Sequence, residues 1–158
     1  MTKESKPPKQ TASIIDPDSL MIVIGAIGIA LPFVLAIGTV LLRYLKLDTE
    51  GVASSISGYY YTGMGNVFVG SLCAIGVCLG AYCGYEDKDR IAGNFASAFA
   101  IGVALFPTSP NTGATAQQVY ISWAHYFCAG SLFLTLAYFC LGLFTMTHPT
   151  GAPKPKGR

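Results

Sequence analysis

Hydrophobic and polar positions along the chain separate into long apolar blocks and short polar connections. Three stretches contain no Asp, Glu, Lys or Arg: residues 20–42, 51–85 and 91–153. Apolar residues occupy every helical face of these blocks, whereas the strands of a membrane barrel alternate polar and apolar residues over about ten positions. A helix of about 20 apolar residues crosses a hydrocarbon core of roughly 30 Å. The pattern therefore predicts an all-α integral membrane bundle of four transmembrane helices.

Polar residues and prolines divide the apolar blocks into four predicted spans. The spans run from about Leu20 to Leu42, Met64 to Tyr85, Ile91 to Phe106 and Val119 to Met146. Pro32 lies in the middle of the first span, where a helix packed in a bundle tolerates it with a kink. We expect an N-terminal tail at 1–18, a four-helix transmembrane domain at 19–146 and a basic C-terminal tail at 147–158.

Basic residues predict the orientation of these spans. The two tails and the turn at 86–90 carry eight Lys or Arg residues, and the loops at 43–63 and 108–118 carry two. Cytoplasmic connections are enriched in Lys and Arg. We therefore expect a multi-pass protein of the cell membrane with both termini in the cytoplasm.

The charges and the potential metal ligands exclude several classes of function. Charged residues make up only 11% of the chain, against about 25% in soluble domains, so we expect membrane lipids as partners. The net charge is only +2, so we expect no nucleic acid as a partner. No acidic residue lies inside a predicted span, which argues against a carboxylate-driven transporter. His125 lies near the start of the fourth span and His148 beyond its far end, and Cys73, Cys78 and Cys83 fall on different helical faces. No metal or other cofactor is therefore predicted.

Small residues recur every four positions in the second and third spans. They are Gly76, Gly80 and Gly84 in one span and Ala92, Ala96, Ala100 and Ala104 in the next. Such faces let helices approach closely. Because a five-residue turn joins the two spans, we expect an antiparallel hairpin with Gly80 near Ala96 and Gly76 near Ala100, and with Leu79 on a neighbouring face. The alternative use of these faces is a homo- or hetero-oligomer.

Polar and aromatic side chains at the predicted outer side are the candidate ligand-binding residues. They are Ser57, Tyr59, Tyr60, Tyr61, Asn66 and His125. The alternative interpretation of the tyrosines is an interfacial aromatic belt. His125 has two interpretations, an interfacial residue near Trp123 or a side chain directed into the bundle, and the first is favoured. A nucleophilic pair of His125 with Cys128 is also conceivable, although no third orienting group is evident.

Two functional hypotheses follow. The first, which the absence of recognisable chemistry favours, is a non-catalytic subunit or lipid-interacting scaffold. The second is a membrane enzyme or small-molecule carrier that uses the outer-side cluster. Convergence of the cluster on one pocket would favour the second hypothesis, and a His125 side chain turned toward lipid would exclude it.

Four short runs also resemble a known family. They are 57–62 (SGYYYT), 84–94 with Gly84-Tyr85 and Asp89 to Asn94, 104–108 (ALFPT) and 125–127 (HYF). They resemble an uncharacterised family of small bacterial polytopic membrane proteins over roughly residues 19–148. The resemblance implies a bacterial inner membrane location and four to six helices without an assigned activity. The family is remotely similar to eukaryotic lipid-remodelling proteins, but this chain lacks the intramembrane acidic residues and histidines of the ceramide hydrolases, which counts against hydrolysis.

Overall fold

The computed structural model describes residues 17–82, 87–110 and 113–143, and within these ranges all regular secondary structure is helical. The elements are α1 (Pro17–Tyr44), a 3₁₀ helix (Ile56–Tyr61), α2 (Gly65–Ala81), α3 (Asp87–Leu105), α4 (Ala116–Tyr138) and a π-helical turn (Phe139–Leu143). The predicted all-α class is therefore confirmed for the described part of the chain. The 3₁₀ helix lies within the predicted outer loop 43–63. The predicted C-terminal tail and most of the predicted N-terminal tail lie outside the described residues.

Length and composition distinguish two pairs of helices. The segments Ser19–Tyr44 and Ala116–Leu141 are each long and apolar enough to cross a membrane. The apolar segments Gly65–Ala81 and Arg90–Leu105 are shorter. Two of the four predicted spans thus meet the criterion for a membrane-crossing helix on their own.

The end of α1 is fixed by hydrogen bonds of its own backbone. Leu47 N–H donates to Leu42 O (2.9 Å) and Lys46 N–H donates to Arg43 O (3.0 Å). Lys46 adopts a left-handed conformation with φ 57°. This is the Schellman arrangement, in which one left-handed residue lets the last carbonyls of a helix find donors. The chain consequently turns sharply into the 45–64 segment.

Helices α2 and α3 form a close antiparallel pair. A Cβ atom at Gly76 would lie 2.8 Å from Ile101 Cγ1, and one at Gly80 would lie 2.9 Å from Ser97 Oγ. Further toward the turn, a Cβ at Gly93 would lie 3.0 Å from Leu79 O. The glycines form notches into which side chains of the opposite helix insert. The residues opposite them are Ser97 and Ile101.

The predicted partners on α3, Ala96 and Ala100, are the residues next to Ser97 and Ile101, whose atoms lie closest to Gly80 and Gly76. Ala96 and Ala100 are fully buried, Ala92 is 8% exposed, and Gly84 lies outside the described residues. A four-residue repeat defines which face of a helix is small, but the side chains beside that face decide the axial offset. Leu79, expected on a neighbouring face, is only 6% exposed and belongs to the core, so its side chain does not face lipid.

Each helix packs on its neighbour in the chain. Within the described residues α1 contacts α2, α2 contacts α3 and α3 contacts α4, while α1 and α4 do not pack against each other. Side chains also fill glycine notches at the other two helix pairs: Met64 lies against Gly38, and Cys128 Sγ lies against Gly102. The order α1–α2–α3–α4 leaves one face of each outer helix uncovered.

Candidate functional site

The segment between α1 and α2 is held in shape by its own polar side chains. The Asp48 carboxylate accepts hydrogen bonds from Glu50 N–H (3.1 Å) and Gly63 N–H (2.6 Å). These bonds to the charged form hold the pKa of Asp48 below its ordinary value of 3.8. Ser55 caps the 3₁₀ helix, since its hydroxyl accepts from Gly58 N–H at 3.1 Å. The segment therefore presents Ser57, on the first turn of the 3₁₀ helix, in a defined position.

The three consecutive tyrosines have three different environments. Tyr59 is 4% exposed and anchors the 3₁₀ helix in the core, and Tyr60 is half-buried. Tyr61 is 40% exposed, and its phenol donates a hydrogen bond to Thr108 O. Burial, followed by the nearby Tyr60, raises the pKa of Tyr61 above its ordinary value of 10.0. Tyr61 thus links the 3₁₀ helix to the segment that follows α3.

His125 is the central residue of the site. Its side chain is 2% exposed, with Nδ1 2.6 Å from Phe106 O and Nε2 3.0 Å from Ser57 Oγ. The ring therefore points into the protein, whereas Trp123 and Tyr126 beside it are 69% and 56% exposed. Of the two interpretations of His125, the structure shows the side chain directed into the helix assembly.

The hydrogen bonds of His125 define its protonation in the neutral ring. A carbonyl oxygen can only accept, so Nδ1 carries the proton that is donated to Phe106 O. Nε2 is then unprotonated and accepts a hydrogen bond from the Ser57 hydroxyl. The imidazole consequently connects three parts of the chain: the 3₁₀ helix, the end of α3 and the third turn of α4.

The start of α4 is secured by a capping box, which fixes the helix that carries His125. Gln118 N–H donates to Thr115 Oγ1 (3.3 Å), and Thr115 N–H donates to the Gln118 side-chain oxygen (2.9 Å). This reciprocal pair satisfies backbone donors that an uncapped helix leaves free. The capped helix positions His125 about 14 Å along its axis.

A cavity of about 680 Å³ opens beside Ser57, between the 3₁₀ helix and the segment after α3. Hydroxyl groups dominate its lining, which also contains one carboxylate. The hydroxyl-bearing residues are Ser54, Ser55, Ser57, Tyr61, Thr62, Thr108, Ser109 and Tyr126, and the carboxylate is that of Glu50. Ser57 lines the cavity, and its hydroxyl is hydrogen-bonded to the ring of the buried His125, which does not line the cavity.

The candidate residues predicted from the sequence are only partly brought together. Ser57 and His125 are hydrogen-bonded, and Tyr61 lines the same cavity as Ser57. Tyr59 and Tyr60 support the 3₁₀ helix without lining the cavity. Asn66 is exposed on α2 and is absent from the cavity lining.

Two groups of the site are not predicted from the sequence, the carbonyls of Phe106 and Thr108. The sequence does contain a signal for them, since Pro107 ends α3 and the last carbonyls of a helix lack intrahelical partners. The conceivable pair of His125 with Cys128 is replaced by the pair with Ser57. Within the described ranges no group of three or more His, Cys, Asp or Glu residues is placed to hold a metal ion.

Comparison of the chain with family models, with curated proteins and with solved structures finds no match. The residues and their geometry are therefore the basis for a functional proposal.

Proposed function

We propose that the chain is an integral membrane protein with four transmembrane helices, and that it binds the polar headgroup of a membrane lipid in the hydroxyl-lined cavity at its outer end. The observation that carries the proposal is the cavity beside Ser57, built where the end of α3 and the start of α4 meet the 3₁₀ helix. It combines the lipid interaction of the first hypothesis with the outer-side cluster of the second.

The uncovered faces of α1 and α4 support the membrane assignment. Ile29 and Phe33 on α1 are 71% and 62% exposed, and Phe133 and Leu134 on α4 are 72% and 75% exposed. Contiguous apolar surface of this kind is costly in water and is typical of contact with lipid or a partner. Lipid tails would cover both faces without a further protein.

The shorter helices fit a membrane with help from neighbouring elements. As ideal helices, α2 and α3 are about 26 and 28 Å long, slightly less than a core of roughly 30 Å. A short span is accommodated at a cost of fractions of a kcal/mol per Å of mismatch. The 3₁₀ helix packs on the start of α2 and extends the ordered structure at that end.

Exposed aromatic residues support placing the cavity at headgroup level. Tyr120, Trp123 and Tyr126 lie in the first three turns of α4, and they are 78%, 69% and 56% exposed. Tyrosine and tryptophan concentrate at the membrane–water interface. Because Tyr126 also lines the cavity, these exposed aromatic residues and the cavity lie at the same level along α4. The count of Lys and Arg residues favours the outer side for this end.

The chemistry of the cavity favours a headgroup with several hydrogen-bonding groups. A cluster of hydroxyls both donates and accepts hydrogen bonds, which suits a glycerol or sugar headgroup. The single carboxylate of Glu50 disfavours a second negative charge nearby. A lipid bound in this way keeps its tails along the apolar helix faces.

Native mass spectrometry of the protein purified in mild detergent tests the proposal. We expect the wild type to retain lipid enriched in one headgroup class. Ser54→Trp, which places an indole in the cavity, should lose that lipid. Thr49→Trp is the matched control, because Thr49 is exposed in the same segment and does not line the cavity. Equal lipid retention by both variants, or no retained lipid in the wild type, would contradict the proposal.

A role as an oligomer subunit is the second candidate, and it uses a different surface from the one predicted. The notches at Gly76 and Gly80 are occupied by α3. On α1, a Cβ atom added at Gly25 or at Gly28 would instead meet no atom within 4 Å, so a second helix could approach there. The same mass spectra distinguish a monomer from a homo- or hetero-oligomer.

A further inference from the structure

We propose that Ser57 is a catalytic nucleophile activated by His125, and that the chain cleaves carboxylic esters whose alcohol part occupies the hydroxyl-lined cavity. The class of ester rests on the proposed headgroup binding, whereas the activation of Ser57 rests on its own geometry.

The first step of the argument is the pairing of nucleophile and base. Ser57 Oγ lies 3.0 Å from His125 Nε2, within the range in which an imidazole accepts the proton of an attacking hydroxyl. The Nε2 atom is the unprotonated nitrogen, as its partner Nδ1 donates to a carbonyl. The neutral ring is therefore in the tautomer that a general base requires.

The second step is the orientation of that base. Phe106 O lies 2.6 Å from Nδ1 and takes the position that a carboxylate has in a Ser-His-Asp triad. The carbonyl fixes the tautomer and the ring plane, but as a neutral dipole it stabilises the imidazolium less than a carboxylate does. We therefore expect slow turnover, and a covalent probe is the more sensitive assay.

The third step is access. His125 is 2% exposed, so bulk water reaches the base poorly, whereas Ser57 is half-buried and lines the cavity. A substrate in the cavity thus contacts Ser57, whereas His125 is not among the residues that line the cavity. A histidine that only crosslinked two segments would not require its serine partner to line a cavity.

The reaction balances with water as the only co-reactant. Ser57 Oγ forms a bond to the ester carbonyl carbon, and its proton moves to Nε2. The bond from that carbon to the alcohol oxygen breaks, and the alcohol leaves with the proton from Nε2. Water then attacks the acyl-serine, gives a proton to Nε2, and releases the acid as Ser57 recovers its proton.

This route requires none of the groups whose absence counted against hydrolysis at the sequence level. Intramembrane acidic residues and several histidines are the requirement of the ceramide hydrolases. A serine nucleophile needs one histidine and an orienting acceptor, and both are present here.

Labelling with a fluorescent fluorophosphonate tests the inference on the full-length protein in detergent. Ser57 Oγ would attack phosphorus and displace fluoride. We expect the wild type to be labelled and the label to map to Ser57, Ser57→Ala to be unlabelled, and His125→Gln to react about 10²–10⁴-fold more slowly. Ser122→Ala is the control, because Ser122 lies one turn before His125 and its hydroxyl donates to Val119 O (2.7 Å). It should be labelled like the wild type.

The outcomes separate the two proposals. An unlabelled wild type, or equal labelling of the wild type and Ser57→Ala, would overturn the nucleophile. If His125→Gln does not fold, the comparison of Ser57→Ala with Ser122→Ala decides by itself. Lipid retention is measured on the same samples: labelled protein without lipid would refute headgroup binding alone, and lipid-bound protein without label would refute the nucleophile alone.

Discussion

Gly65 opens α2 at a point where no side chain fits. A Cβ atom there would lie 2.5 Å from Tyr60 O and 3.4 Å from Tyr59 O. Both atoms belong to the backbone of the 3₁₀ helix, so they cannot move aside as a flexible side chain would. Gly65→Ala must therefore displace α2 from the 3₁₀ helix that carries Ser57.

The size of the effect follows from the contact. Overpacking in a close-packed site typically costs about 1–3 kcal/mol. At about 2–4 °C per kcal/mol for a chain of this size, the melting temperature should fall by about 2–12 °C. Gly70→Ala is the matched control in the same helix, since its Cβ would have no atom within 4 Å. Alanine there gains up to about 1 kcal/mol in helix propensity.

Far-UV circular dichroism in detergent is the suitable measurement, because the single Trp123 is 69% exposed and its emission reports poorly on packing. We expect a lower melting temperature for Gly65→Ala and an unchanged or higher one for Gly70→Ala. Equal melting temperatures for the two variants would show that α2 and the 3₁₀ helix are not in close contact.

Two further predictions concern the proposed orientation in the membrane and the segment between α1 and α2. Cysteines introduced at Lys88 and Asn111, in a background without native cysteines, should be labelled from opposite sides of the membrane, with Asn111 reached from outside by an impermeant thiol reagent. Labelling of Lys88→Cys from outside would reverse the proposed orientation. The pKa of Asp48 lies below 3.8 in the folded protein, so its contribution to stability is present above that pH and is lost as the pH falls through the lowered value. Melting temperatures measured from pH 7 to pH 3 should show an acid-dependent loss that is smaller in Asp48→Asn, and an identical loss in both proteins would contradict the role of this carboxylate.

The helices can be predicted from the sequence because their information is local. Charge-free blocks and prolines indicate the all-α class, and α1 and α3 lie close to the predicted bounds. The short 3₁₀ helix is not predicted, because six residues preceded by one capping serine are too few to show a helical periodicity of apolar and polar positions. The burial of Leu79 is not predicted for a related reason, since an apolar helix gives no amphipathic signal to show which face is inside.

The site can be predicted only in part, because its contacts are non-local. Ser57 and His125 are recognisable in the sequence as polar residues at the same predicted side of the bundle, but their hydrogen bond joins positions 68 residues apart. The acceptor at Phe106 is a backbone oxygen, which every residue has. The identity of the residue therefore does not indicate that this atom takes part in the site. Asn66 is a candidate because of its place just inside the predicted second span, and the rotation of α2 exposes it instead.

The separation of Ser57 and His125 has a consequence for biogenesis. Ribosomes add about 5–20 residues per second, so Ser57 emerges roughly 3–14 s before His125. During that interval α2 and α3 can pair, because their contacts are close in sequence. The hydrogen-bond partner of Ser57 has not yet been synthesised, because it lies on α4. The pair between Ser57 and His125 is thus completed only when α4 has been made, and under the proposed mechanism a nascent chain that stops before α4 has no activated serine.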